Sequence, residues 1–141
     1  MDGRSHEAGA KLLTDLRVGR DDTVIPAIVL DGLPPGVKMS CEEIFGPVLA
    51  LEPYDSFEAA LALVNASNYG LQAGVFTRDI GRIYQAFREL EVGAVLINQG
   101  PTFRPENLPY GGVKDSGHGR EGLKSAMEEM TEPRALVINL D

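Results

Sequence analysis

Between Asp55 and Asn98 the spacing of apolar residues switches from a helical repeat to a short continuous run, and then does so again. Asp55 followed by Glu58 is an acidic relative of the capping box, and Phe57, Leu61 and Val64 recur at helical spacing. A helix is predicted from here to about Asn68–Gly70. Leu71 to Thr77 is short, mostly apolar and bounded by turn residues, as a buried strand is. Asp79 offers a capping carboxylate to a second helix, on which Ile80, Ile83, Tyr84, Phe87 and Leu90 share one face. Gly93 stops that helix, and Ala94 to Ile97 reads as another buried strand. Helix, strand, helix, strand at this spacing is how right-handed β-α-β units surround a parallel sheet, so the predicted fold class is α/β.

The flanks extend this pattern. Thr23 to Leu30 and Val48 to Leu51 read as further strands, with Pro26 making the first an edge or an irregular strand. From Asn98 to Gly119 the chain is polar and rich in Gly and Pro, which predicts a long loop of the kind that is usually functional or disordered. Gly122 to Met130 should be a short helix that stops before Pro133, because proline restricts the residue preceding it. Ala135 to Leu140 then reads as a strand of strong β-propensity with nothing after it to cover it. Such a strand takes an edge of its own sheet or of another subunit.

At 141 residues, 43% hydrophobic and 24% charged, the chain has the size and composition of one soluble domain. Its 21 acidic and 13 basic residues leave a net charge of −8, which repels phosphate backbones and anionic lipid, so neither nucleic acid nor a membrane is an expected partner. The N-terminus lacks the apolar run of a signal peptide, and no stretch approaches the roughly 18 apolar residues of a membrane span. A cytoplasmic location is expected. The one cysteine, Cys41, excludes an intramolecular disulfide and agrees with a reducing compartment. Glu42 and Glu43 follow it, and their negative charge disfavours a thiolate, so Cys41 is read as structural or incidental. No metal site is read.

Two glycine patterns invite a nucleotide. Gly117-His118-Gly119-Arg120-Glu121-Gly122 has the spacing of a dinucleotide fingerprint, but that motif works only behind a hydrophobic strand, and Pro109 to Ser116 is not one. Gly112 to Gly117 has half of a Walker A spacing, but His118 and Gly119 stand where the lysine and hydroxyl should be. Taken alone, this is a mobile glycine loop.

Its company changes that. Cys41-Glu42-Glu43-Ile44-Phe45-Gly46-Pro47-Val48 precedes Tyr69-Gly70-Leu71 and Ala73-Gly74-Val75-Phe76-Thr77. Gly93 to Asn98 follows, then Pro109 to Gly117 with Gly119 to Gly122, then Met130-Thr131-Glu132-Pro133. In this order and spacing the segments resemble the aldehyde dehydrogenase superfamily, over almost the whole chain from about Gly9. The resemblance implies part of an open, mostly parallel Rossmann-like sheet of the catalytic domain over residues 1–133, and an oligomerisation strand over residues 134–141. Family members attack an aldehyde with a cysteine thiolate, pass hydride to NAD or NADP and hydrolyse the thioester to a carboxylic acid. By resemblance, Glu43 matches the glutamate that binds the nicotinamide-ribose hydroxyls, and Phe45 the aromatic beside the nicotinamide ring. Without the motif, Glu43 is a solvated charge and Phe45 a core aromatic. Phe103 and Tyr110 fall near positions that line the family's substrate tunnel, or they are packing residues. Arg104 is a surface arginine, or a guanidinium beside the tunnel that binds an anionic or hydroxylated aldehyde.

The resemblance also implies a deficit. Full-length members are several times longer, and their cofactor-binding domain, glutamate general base and catalytic cysteine have no counterparts here. Cys41 sits inside the ribose-binding motif and is not that nucleophile, so no catalytic residue is assigned and the isolated chain is expected to be inactive. It is expected to pair with the missing N-terminal part or to form homo-oligomers, an aldehyde being a ligand only of the complete enzyme. The alternative is a non-catalytic interaction protein that uses Ala135 to Leu140 to join dehydrogenase oligomers.

Overall fold

The computed structural model describes residues 9–14 and 23–141, in two units, Met1–Ala59 and Ala60–Asp141. Most of the N-terminal stretch read for a signal peptide lies outside the described residues.

In the first unit β1 (Lys11–Leu12), β2 (Ile28–Asp31) and β3 (Val48–Leu51) form one sheet in that order. β1 runs antiparallel to β2, and β2 runs parallel to β3 with Ile28 opposite Val48 and Asp31 opposite Leu51. Ile28 and Leu30 are buried with Ala10 and Leu33, and Leu12, Val37, Met39 and Val48 pack against them. Side chains two apart on a strand share a face, which is why Ile28 and Leu30 form this core together. The strand expected over Thr23 to Leu30 is shorter and shifted. Pro26 has no N–H for a ladder, and pairing starts only beyond it. A one-turn helix, α1 (Lys38–Cys41), precedes the segment that leads into β3.

The predicted helix–strand alternation is present. Helix α2 (Phe57–Asn65) leads to β4 (Tyr69–Gly70) and β5 (Gln72–Val75), and α3 (Ile80–Glu89) then leads to β6 (Ala94–Ile97). β5 and β6 are parallel, from Gln72 opposite Ala94 to Val75 opposite Ile97, with α3 as their crossover. The Asp79 carboxylate caps α3 by accepting from the backbone N–H groups of Gly81 and Arg82.

The face of α3 that carries Ile80, Tyr84 and Phe87 is exposed, while Ala86 and Leu90 are buried. Two expectations are corrected. β5 and β6 are only half-buried, because a parallel strand is fully buried only when both faces of its sheet are covered. The stretch from Asn98 to Gly119 contains a strand, β7 (Val113–Lys114), antiparallel to β4. It pairs with a residue 45 or so positions away, which local propensity does not reveal, an interval of the kind that makes non-local pairing hard to read.

Helix α4 (Leu123–Glu129) lies within the predicted span. Residues 131–141 form no strand among the described residues, and Leu136, Val137, Ile138 and Leu140 are exposed. A strand exists only in a ladder, and no described residue supplies the partner. The described strands likewise make one three-stranded sheet and two two-stranded sheets, rather than one open sheet.

Lys114 ties the second unit together. Its ammonium donates to the carbonyl oxygens of Asn65 (2.7 Å) and Ser67 (3.1 Å) and pairs with Glu91 at 2.8 Å. Asn65 in turn donates to the Glu89 carbonyl (2.7 Å) and accepts from the Glu91 N–H (2.8 Å). One cation thus satisfies carbonyls at the end of α2, which are otherwise unpaired, and meets the chain leaving α3. Lys114→Met should lower unfolding stability by about 2 kcal/mol, since two carbonyls and a carboxylate lose a charged partner. An unchanged urea midpoint would show that the three contacts contribute nothing.

Candidate functional site

Glu43 and Phe45 lie on the segment between α1 and β3, in the first unit. The Gly46 N–H donates to the Ile44 carbonyl at 2.9 Å, closing a three-residue turn with Phe45 at its centre. The turn throws the Phe45 ring outward, and it is 94% exposed. Burying such a ring is worth about 1.5–3 kcal/mol. The Glu43 carboxylate is exposed and has no hydrogen-bond or ion-pair partner among the described residues. Cys41, at the end of α1, is exposed, and its Sγ lies 3.5 Å from Ser40 Oγ, which is not a base.

Phe103, Arg104 and Tyr110 belong to the second unit. The Phe103 N–H closes a turn on the Gly100 carbonyl at 3.1 Å, and its own carbonyl accepts from Gln72 Nε2 at 3.4 Å. The Arg104 guanidinium carbon stands 4.1 Å from the centre of the Tyr110 ring, and Arg104 Nη2 donates to Glu121 Oε2 at 2.8 Å. Tyr110 and Glu121 are joined by an antiparallel bridge, with N–H to carbonyl distances of 3.0 and 2.6 Å. Arg104 and Tyr110, predicted separately, thus form one cluster. Its third member, Glu121, was legible only as a letter in a glycine pattern, because nothing local announces a partner 17 residues away.

A cleft of about 400 Å³ opens beside this cluster, lined by Tyr110, Ser116, His118, Arg120, Glu121 and Glu129. Arg120 is committed to the backbone, donating through Nη1 to the Gly112 (2.9 Å) and Gly119 (2.6 Å) carbonyls. The glycine pattern from Gly117 to Gly122 borders the cleft. The strand that immediately precedes it is the two-residue β7, antiparallel to β4, which is not the parallel strand of a dinucleotide fold. Among the described residues no group of His, Cys, Asp or Glu is placed to hold a metal, and no helix is long and apolar enough to cross a membrane.

A profile of the aldehyde dehydrogenase family matches residues 3–136. The chain belongs to the aldehyde dehydrogenase family. It is 43% identical over 134 residues to a 3-sulfolactaldehyde dehydrogenase of Priestia aryabhattai and 42% identical over 134 residues to a lactaldehyde dehydrogenase of Methanococcus maripaludis. Each alignment covers 95% of this chain and 28% of the relative. The fold is similar to that of aldehyde dehydrogenase 21 from Physcomitrella patens, solved with the reaction product succinate (TM-score 0.84, 42% identity). That match covers 91% of this chain and 26% of the other. It is also similar to NADP-dependent glyceraldehyde-3-phosphate dehydrogenase from Bacillus halodurans, solved with NADP (TM-score 0.86, 37% identity, 99% of this chain and 29% of the other). This family member therefore spans a little over a quarter of the length of the relatives it matches, and its α/β architecture is theirs.

Proposed function

We propose that this chain provides the C-terminal part of the catalytic domain of an NAD(P)-dependent aldehyde dehydrogenase that oxidises an aldehyde to a carboxylic acid, and that it is inactive by itself. One observation carries the residue assignment: in a chain of this family, the motif glutamate and aromatic both stand exposed on the segment between α1 and β3, and Glu43 has no partner among the described residues. Glu43 accepts the hydroxyl protons of the nicotinamide ribose, its two oxygens matching a diol. Phe45 covers a face of the nicotinamide and holds the ring in place. NAD or NADP, when bound, accepts the hydride. Phe103, Arg104 and Tyr110 form a wall of the substrate tunnel, and the relatives' names favour a short aldehyde that is hydroxylated or anionic. No residue of this chain is assigned as nucleophile or general base.

Residues 1–133 form the catalytic-domain part and 134–141 the oligomerisation strand, which finds its ladder on another chain, whether a second copy or the N-terminal part of the enzyme. The exposed side chains of Leu136, Val137 and Leu140, with Tyr84 and Phe87 on α3, are surfaces that such contacts cover. Sedimentation of the purified chain should therefore find oligomers or poorly soluble material. A stable monomer would count against the strand's role.

The decisive experiment is to sequence the DNA upstream of the Met1 codon. A continuation, in frame or shifted, that encodes the glutamate and cysteine motifs is the expected result. Unrelated upstream sequence would favour the non-catalytic interaction protein instead.

A further inference from the structure

We draw no further inference here: the strongest candidate, the exposed apolar face of helix α3 that carries Ile80, Tyr84 and Phe87, has nothing in the structure to show what covers it.

Discussion

Given NAD+ or NADP+ and any aldehyde, the purified chain should form no NADH or NADPH. Aldehyde oxidation through a thioester needs a thiolate, a group to take its proton and a bound cofactor at the same place. The chain has one thiol, Cys41, flanked by Glu42 and Glu43, and its Sγ touches only a serine hydroxyl. A serine is no base, so no group at Cys41 is placed, among the described residues, to take the thiol proton. The same position places Cys41 two residues from Glu43, where the reading puts the cofactor's ribose rather than the aldehyde. Cofactor binding should also be weak or undetectable by calorimetry, since under the proposed reading Glu43 and Phe45 offer only one edge of the cofactor site. Turnover above background that disappears in Cys41→Ala would overturn the assignment. Turnover that survives in Cys41→Ala would point to a contaminating enzyme.

Gly93→Ala should cost about 3 kcal/mol or more, enough to unfold the second unit. A β-carbon on Gly93 would collide with the Gly111 carbonyl oxygen, lie 2.8 Å from the Gly111 carbonyl carbon and stand 3.0 Å from the Leu71 oxygen. All three are backbone atoms, which have no rotamer to move to. Gly93 N–H also donates to the Gly70 carbonyl at 2.9 Å, so the chain entering β6 is pinned from the β4 side as well. Gly100→Ala is the matched control. Its β-carbon would have one neighbour within 4 Å, Thr102 Oγ1 at 3.9 Å, and its effect should stay within about 0.5 kcal/mol. Urea denaturation followed by circular dichroism separates the two. Equal midpoints would mean that the loop at Gly111 does not press on the start of β6.

The elements visible in the sequence are those whose signal is local. Asp79 capping α3 and the apolar run of β6 lie next to the residues they organise, and the structure has them where expected. Val48 to Leu51 is likewise a strand over its expected bounds. Signals that depend on distant partners failed in proportion to that distance. β7 was hidden in a loop because its partner is β4. Ala135 to Leu140 has no ladder among the described residues, because propensity does not supply an edge to pair with. The shared face of Ile80, Tyr84 and Phe87 was legible, but its exposure was not, because helical period shows which residues share a face, not what covers it.

The candidate site divides the same way. Glu43, Phe45, Phe103, Arg104 and Tyr110 were named from motif position alone. The contact of Arg104 with Tyr110 and Glu121 came from the tertiary structure, which brings a loop, a bridge and the segment before α4 to one place. By itself the sequence determined the family and the α/β alternation, because each is carried by residues adjacent in the chain or by motifs in fixed order. Only the tertiary structure decided that Gly93 must stay a glycine, that Lys114 holds two helix ends and that Glu121 shares the guanidinium of Arg104. Each of these is a contact between segments separated by 17 or more residues, where backbone geometry rather than residue type sets the distance.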